Sequence, residues 1–348
     1  MRKKIKINFE GFWPEFDYHW LLPYKILLKH FDVNISDNPD YLFCGIYKSW
    51  KYCMFKGIRI GLITEIYSAD FNLFDYSFVF EDMRLGDRTL YFPGFMTVHE
   101  FELLQKRKFY TQEDIISKTK FCNMVNSHGG RIYLNGKPAR EELFNIISEY
   151  KHVDSAGKYL NNMNGFTPGD GLEHYTFNNK SKLDFQKNYK FSIVSEPELF
   201  PYCLTEKITN AFAAGTIPIF CGDQSVLKFF NPKSFINYYS YPSDKEFVEH
   251  IKEIDNNDEL FLEMLNQNIF NDPQFIHNTI TGIEKFLLNI FNQDYEAAFR
   301  RPRYFFIEDY EKKLILISKI TENKLFIFFI RIKNKCRSII NRFKSILQ

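Results

Sequence analysis

The 348-residue sequence has no large excess of charge of either sign, no CxxC cysteine pair and no long apolar run. Its 45 basic and 43 acidic residues leave a net charge of +2, which argues against a nucleic-acid partner bound by extensive phosphate neutralisation. The six cysteines are scattered, so neither a zinc knuckle nor the disulfide framework of a secreted protein is indicated. No segment approaches the roughly 20 consecutive apolar residues that span a bilayer.

Several catalytic motifs are also missing. The sequence has no DxD, HExxH, GxSxG or GxxxxGK[ST] motif, and no GxGxxG follows the first predicted strand. A P-loop kinase and a dinucleotide oxidoreductase are therefore disfavoured, whereas metal-independent sugar transfer remains open. We predict no metal ligands, because the eight histidines show no ligand spacing. His19, His30 and His128 are interpreted as exposed or hydrogen-bonded imidazoles.

The N-terminus is basic, but Lys6, Asn8 and Glu10 interrupt any apolar core of a signal peptide. Together with the cysteine pattern, this predicts a protein retained in the cytoplasm.

Aromatic residues are abundant: 39 Phe, 21 Tyr and 3 Trp make up 18% of the chain. Most of these rings are expected in the core, and some are expected to line a groove that stacks on sugar rings.

Short apolar segments alternate with amphipathic ones almost from the first residue, which predicts parallel α/β layering. IKINF, VNI, YLFCGI, IRIGLI and YSFVF read as strands, with LLPYKILLKHF as a helix among them. After a polar stretch at 101–120, FCNMVNS, YKFSIVSE and TIPIFCG repeat the pattern with helices between them. We therefore predict two Rossmann-like domains facing each other across a cleft, at residues 1–112 and 113–300, followed by a helical segment at 301–348.

The last part of that segment is unusual in charge. Residues 324–348 contain seven basic residues and no acidic one, interleaved with Leu, Ile and Phe. One interpretation is a basic amphipathic helix that lies in the headgroup layer of an anionic membrane. The other is a terminal helix docked on its own domain with a solvated basic face.

The segment from Tyr189 to Gly222 is the densest candidate site. A buried strand leads to Glu196, and Thr205 stands at the N-cap position of a helix whose first turn contains Lys207. Free N–H groups and the positive end of a helix dipole bind phosphate, so a nucleotide diphosphate would fit here. The alternative is an ordinary capped βαβ crossover with Lys207 in solvent.

Two further residues are candidates for chemistry. Glu65 follows the strand IRIGLI, at the sheet edge where α/β proteins bind ligands, and a carboxylate in a partly dry cleft serves as a general base. Arg140 opens the helix REELFNIISEY and would offer a fork of donors to a phosphate. The alternatives are a solvated loop acid for Glu65 and a helix-surface partner for Arg140.

Ordered blocks from about residue 5 to about residue 265 match one family. They include IKINFEGFW, SDNPDYLF, TEIYSADFNLFDYSFVF, KFCNMVNS, the block from YKFSIVSE to TEK, AGTIPIFCGD and NPKSFIN. In these blocks the sequence resembles the α-1,3/4-fucosyltransferases of glycosyltransferase family 10, especially the bacterial enzymes that decorate lipopolysaccharide with Lewis-type antigens.

The resemblance implies a GT-B enzyme with an N-terminal acceptor domain and a C-terminal donor domain. The implied reaction is an inverting transfer of L-fucose from GDP-fucose to a GlcNAc hydroxyl of a β-galactoside, without a cofactor or an obligatory metal. Glu65 matches the proposed general base, and Arg140 and Lys207 match the cations that hold the donor diphosphate. The implied acceptor residues are Glu65, Asp70 and Phe71, and the implied donor residues are Ser127, Arg140, Glu196, Tyr202, Glu206 and Lys207. Phe74 and Tyr76 fall in the same acceptor block, where a sugar could stack.

Two positions depart from the family pattern. Pro197 stands where the family has Asn, and Cys203 stands where it has Tyr, with Tyr202 beside it as a substitute after a one-residue shift. These departures keep open a transferase of the same architecture that uses another nucleotide sugar. A non-catalytic glycan or nucleotide binder is the remaining alternative. The basic tail is similar to those that hold bacterial members to the inner face of the cytoplasmic membrane.

Overall fold

A computed structural model of the chain describes residues 2–14, 16–47, 50–63, 65–96, 104, 105, 107–168, 180–321 and 323. The predicted basic tail at 324–348 lies outside these residues, so both interpretations of it stay predictions.

The first unit is built on a six-stranded sheet in the order β2-β1-β3-β4-β5-β6, in which every neighbouring pair is parallel. Its strands are β1 (Lys4–Glu10), β2 (Asp32–Ile35), β3 (Tyr41–Cys44), β4 (Ile58–Leu62), β5 (Tyr76–Val79) and β6 (Thr89–Tyr91). All residues of β3, β4 and β5 are buried, because parallel strands are covered on both faces. Most of their residues are therefore apolar, with buried Arg59 in β4 and buried Ser77 in β5 as the exceptions.

The second unit has a five-stranded parallel sheet in the order β10-β7-β11-β12-β13. Its strands are β7 (Lys120–Val125), β10 (Val153–Ala156), β11 (Tyr189–Ser195), β12 (Ile217–Cys221) and β13 (Ile236–Asn237). A short antiparallel hairpin of β8 (Tyr133–Leu134) and β9 (Lys137–Pro138) follows β7. The prediction of two parallel α/β units is confirmed.

The described helices connect and cover these strands. They are α1 (Leu22–His30), α2 (Gln112–Ile116), α3 (Ala139–Ser148), α4 (Lys180–Gln186), α5 (Glu206–Ala213), α6 (Val226–Phe229), α7 (Asp244–Asp255), α8 (Asp258–Leu265), α9 (Phe275–Asn292) and α10 (Phe305–Thr321). None of the helices in this described part is long and apolar enough to cross a membrane.

Helix α9 returns to the first unit after the second sheet is complete. Phe291 packs against Tyr41 with ring centroids 4.4 Å apart, and Phe286 packs edge-on against Phe78 at 5.1 Å. The segment assigned from sequence to the second domain therefore includes a helix whose apolar face covers the first sheet. Apolar periodicity predicts a buried helix face but not which sheet covers it.

Helix α10 and the segment before it are fixed to the first unit by two buried ion pairs. Asp75 is fully buried; it accepts the backbone N–H groups of Arg300 and Arg301, both at 2.9 Å, and pairs with the Arg301 guanidinium. Arg59, also fully buried, donates to Glu311 of α10 at 2.5 Å. The helix lies against the 3-10 turn Trp50–Met54.

We expect Asp75→Ala to lower the free energy of unfolding by about 3 to 5 kcal/mol, because the substitution leaves the Arg301 charge buried without its partner. Urea denaturation followed by circular dichroism measures this loss. The matched control is Asp309→Ala, which removes an exposed pair with Lys312 and should cost less than about 0.5 kcal/mol. Equal losses in the two variants would contradict the assigned role of Asp75.

Candidate active site

Glu65 follows β4, and its carboxylate is held by a tyrosine in the loop that follows the neighbouring strand β3. The Tyr47 hydroxyl donates a hydrogen bond of 2.7 Å to Glu65 Oε1. Burial and the Glu65 charge both raise the pKa of Tyr47, so the phenol stays protonated and donates. Glu65 itself is exposed. The carboxylate is thus oriented by a neutral donor and open to a ligand.

A close approach of two glycines fixes the loop that holds Tyr47. A Cβ on Gly45 would lie 2.4 Å from the carbonyl oxygen of Gly11, so only glycine fits there. The Tyr47 backbone N–H donates to that same Gly11 oxygen at 2.6 Å. The Trp13 ring then meets the Tyr47 ring edge-on, 5.4 Å between centroids. Trp13 therefore packs against the tyrosine that holds the Glu65 carboxylate.

Glu196 is the buried centre of the second half of the site. It follows β11, has no exposed surface and accepts the Thr205 N–H at 2.8 Å and the Thr205 hydroxyl at 2.7 Å. Lys207 Nζ lies 3.9 Å from the same carboxylate and donates to the Thr205 hydroxyl at 3.0 Å. Burial raises the pKa of Glu196, opposed by Lys207 and by the hydrogen bonds from Thr205.

Glu206 and Lys207 form a charged pair at the start of α5. Their carboxylate and ammonium groups are 3.6 Å apart, and Lys182 of α4 lies 4.0 Å from the same Glu206 oxygen. Burial opposes ionisation of Glu206, but Lys207 and Lys182 together lower its pKa to about 2. Burial likewise opposes the charge on Lys207, but Glu206 and Glu196 raise the pKa of its ammonium group. Both groups are charged at neutral pH.

Thr205 occupies the N-cap position of α5, as the sequence predicts, but its side chain does not cap the helix. The hydroxyl binds the Glu196 carboxylate instead. In place of a helix N–H, the hydroxyl oxygen accepts the charged Lys207 ammonium, and a charged donor forms a stronger hydrogen bond than a neutral one. The first N–H groups of the helix therefore have no side-chain cap from Thr205.

Arg140 is the second residue of α3, and its guanidinium points into the protein. It is 1% exposed; Nε and Nη2 donate to the Ser195 carbonyl at 3.3 and 3.0 Å, and Nη1 donates to the His128 carbonyl at 2.6 Å. Burial lowers its pKa, opposed by Glu196. Ser127 and His128 are exposed in the loop after β7.

Tyr202 lies between the two units. Its hydroxyl is 3.4 Å from Asp82 of the first unit and accepts from Lys228 of the second, and its ring meets Tyr91 edge-on at 5.8 Å. These contacts set Tyr202 apart from the cluster of Glu196, Thr205, Glu206 and Lys207. Cys203 is fully buried, and burial, Glu196 and Glu65 all raise the pKa of its thiol. The Glu65 charge acts on this thiol, so Glu65 lies on the side of the first unit that faces Cys203.

The block TEIYSADFNLFDYSFVF, which contains the implied acceptor residues Asp70 and Phe71, is only partly exposed. Asp70 accepts the Asn72 N–H at 2.9 Å and the Tyr310 hydroxyl at 2.8 Å, and the Arg88 guanidinium covers the Phe71 ring at 4.9 Å. The expectation that a sugar stacks on Phe74 and Tyr76 is wrong, because both are fully buried in the core. Within the described residues no group of His, Cys, Asp and Glu side chains could hold a metal ion.

Two residues of the candidate active site, Tyr47 and Lys182, were not predicted from the sequence. Tyr47 follows β3 just as Glu65 follows β4, so the same sheet-edge rule points to it. Lys182 lies on α4, and its proximity to Glu206 of α5 arises from tertiary packing, which no local sequence pattern predicts.

Comparisons with known proteins match both halves of the chain. Residues 7–98 match the model of the alpha-(1,3)-fucosyltransferase FucT N-terminal domain, and residues 115–270 match that of the glycosyltransferase family 10 (fucosyltransferase) C-terminal domain. The alpha-(1,3)-fucosyltransferase FucT of Helicobacter pylori is 25% identical over 324 residues, which cover 86% of this chain and 67% of that protein.

Other relatives are covered less fully. A protein of Acanthamoeba polyphaga mimivirus that carries the name fucosyltransferase is 31% identical over 62% of this chain, but this chain spans only 34% of it. A crystal structure of an alpha1,3-fucosyltransferase superposes with a TM-score of 0.65 at 21% identity, covering 82% of this chain and 90% of that one. Another, with GDP-fucose, gives 0.64 at 20% identity and covers 85% and 93%.

These superpositions confirm the predicted GT-B architecture of two facing Rossmann-like units. The two domain matches follow each other in the order of the chain and together span most of its length. The chain therefore belongs to glycosyltransferase family 10, the fucosyltransferases.

Proposed function

We propose that this protein transfers L-fucose from GDP-fucose to a GlcNAc hydroxyl of a β-galactoside glycan, as an α-1,3-fucosyltransferase. One observation carries the proposal. The charge of the exposed Glu65 carboxylate on the first unit acts on Cys203 of the second unit, three residues before the Glu206–Lys207 pair. We take these groups to lie on opposite sides of one cleft, with a base on one side and a site for an anionic leaving group on the other.

The proposed step is a single displacement. Glu65 takes the proton of the acceptor hydroxyl as that oxygen attacks the anomeric carbon of fucose. The bond from this carbon to the β-phosphate oxygen breaks, and its electron pair leaves with GDP. Attack from the side opposite the leaving group inverts the configuration at the anomeric carbon.

Positive charge for the leaving group comes from the protein. The Lys207 ammonium and the uncapped N–H groups of α5 stabilise negative charge that grows on the departing phosphate. We propose that these groups suffice without a metal. Ionised Glu206, held by two lysines, is suited to accept hydrogen bonds from the nucleoside.

The acceptor side is proposed to bind a pyranose ring. Tyr47 contacts Glu65 and packs against the Trp13 ring, and aromatic faces of this kind stack on the apolar face of a sugar. A lipopolysaccharide or oligosaccharide bearing N-acetyllactosamine, the precursor of Lewis antigens, satisfies this chemistry.

A second candidate is a transferase that uses another nucleotide sugar. Pro197 lacks a side-chain amide, and Cys203 is fully buried and lacks a phenol, so neither supplies the donor contact that the family residue would. Tyr202 is engaged with Asp82 and Lys228.

We also propose that the protein is cytoplasmic and peripheral to the inner face of the membrane. Helix α10 exposes Leu316 and Ile320 near its C-terminal end, at 58% and 42%, and the basic residues 324–348 follow it in the sequence. Exposed apolar residues near a basic segment favour the headgroup layer of anionic lipids.

Incubation with GDP-fucose, other GDP-sugars and UDP-sugars, each with N-acetyllactosamine, should release nucleotide from GDP-fucose alone. A coupled enzyme assay of GDP or UDP release distinguishes a fucosyltransferase, a transferase that uses another sugar nucleotide and a non-catalytic binder. Release from another sugar nucleotide would replace the donor assignment, and release from none would leave only the non-catalytic binder.

Glu65→Gln should lower kcat about 100- to 10,000-fold while GDP binds as in the wild type, since the substitution removes the base but not a donor contact. Lys207→Ala should instead weaken GDP about 10- to 100-fold, because a charged hydrogen-bond donor is lost. Kinetics and calorimetric GDP titration test both, with the exposed Glu249→Gln as the control. Equal losses of GDP affinity in the two site variants would contradict these roles.

Deleting residues 324–348 should abolish cosedimentation with vesicles rich in phosphatidylglycerol and leave transfer to a soluble acceptor intact. High salt should weaken binding of the full chain, since screening reduces the attraction of the basic residues to the lipid surface. Unchanged cosedimentation of the deletion variant would favour the docked terminal helix.

A further inference from the structure

Helix α10 lies against the part of the first unit from which Glu65 emerges. The helix follows both segments of the chain that match the family. Its inward face repeats at helical spacing, because Glu311 and Ser318, seven residues apart, are only 7% and 6% exposed. Between them, Leu314 and Ile315 pack against the buried cluster that includes Ile63, the residue directly after β4. Two turns of α10 are therefore docked beside the end of β4.

Two consecutive residues of α10 bind β4 and the loop that follows it. Glu311 pairs with the buried guanidinium of Arg59 in β4 at 2.5 Å. Tyr310, directly before it, donates a hydrogen bond of 2.8 Å from its hydroxyl to Asp70 Oδ2. Asp70 lies five residues after Glu65, in the loop between β4 and β5. The position of this loop is therefore set by α10 as well as by its own strand.

The Asp70 carboxylate joins a turn of the loop to the helix. Its Oδ1 accepts the Asn72 N–H at 2.9 Å. The Asp70 carbonyl accepts the N–H groups of Leu73 and Phe74 at 2.9 and 3.1 Å, which makes the turn compact. The hydrogen bond to Asp70, burial and the Asp70 charge raise the pKa of Tyr310 to about 12, so the phenol is protonated and donates at neutral pH. Oδ2 thus ties the whole turn to α10.

Other groups hold the two ends of the same loop. Tyr47 binds Glu65 at its start, and Arg88 donates to the Phe71 carbonyl at 2.9 Å near its end. Tyr310 acts on the stretch between these two anchors. A carboxylate base must meet the acceptor hydroxyl within hydrogen-bond distance, and a displacement of about 1 Å is enough to cost rate. The loop therefore needs its middle anchor as well as its ends.

We propose that Tyr310 is a positioning residue for the acceptor: through Asp70 it holds the loop after β4 so that Glu65 meets the acceptor hydroxyl. The inference rests on the proposed function, because it takes Glu65 to be the base of a sugar transfer. It makes α10, a helix beyond both family matches, a part of the acceptor side of the candidate active site.

Tyr310→Phe removes the phenol hydroxyl and keeps the ring. Initial-rate kinetics with GDP-fucose and N-acetyllactosamine should show kcat/KM for the acceptor lowered about 5- to 30-fold, since a hydrogen bond to a charged group is lost and the loop shifts. The calorimetric affinity for GDP should change less than about 2-fold, because the second unit is untouched. A general loss of stability would not separate acceptor from nucleotide in this way.

Tyr304→Phe is the matched control. It removes the same hydroxyl from a tyrosine that is 64% exposed and lies directly before α10. This variant should behave as the wild type in both measurements. Thermal denaturation establishes that each variant is folded.

The route through Asp70 is tested with Asp70→Ala and with the double variant. Residues that act through one contact give losses that are not additive. Adding Tyr310→Phe to Asp70→Ala should therefore lower the acceptor kcat/KM by less than about 2-fold further. Losses that multiply in the double variant would show that Tyr310 does not act through Asp70 and would overturn the inference.

Wild-type acceptor kinetics in Tyr310→Phe would also overturn the positioning role, as would a loss of GDP affinity as large as the loss of acceptor kcat/KM. Absence of transfer from GDP-fucose by the wild type would instead overturn the proposed function, and the inference with it.

Discussion

The buried carboxylate of Glu196 determines the geometry of the candidate active site. A carboxylate without contact to water needs hydrogen-bond donors and a cation, and here Thr205 supplies both donors while Lys207 supplies the charge. The Thr205 hydroxyl donates to Glu196 and accepts from Lys207, and it does not cap α5. One buried charge therefore orients the lysine and keeps the Thr205 side chain off the helix terminus.

Contacts outside the candidate active site hold the two units together. One apolar core extends from Ile7 in the first sheet to Phe212 and Phe220 in the second unit. Tyr202, at a φ of +63° that non-glycine residues rarely adopt, touches both units outside the Glu65–Lys207 cleft. Side chains outside the candidate active site thus help to set the distance between Glu65 and Lys207.

The sequence predicts those features that depend on local pattern. The buried strands β3, β4 and β11 are rich in apolar residues, and Glu65 and Glu196 follow from the rule that ligands bind at the carboxyl ends of parallel strands. Features that depend on distant neighbours could not be predicted. The inward turn of Arg140 is set by carbonyls 12 and 55 residues away, and the Thr205 hydroxyl is drawn from its helix by a carboxylate nine residues earlier.

The return of α9 to the first unit has a consequence for synthesis on the ribosome. The last strand of the first sheet ends at Tyr91, yet the helix that covers this sheet begins at Phe275, about 180 residues later. At translation rates of about 5 to 20 residues per second, this apolar face of the first sheet remains without its helix for about 10 to 40 s. During that interval the nascent first unit exposes Tyr41 and Phe78 and is a natural client for a chaperone.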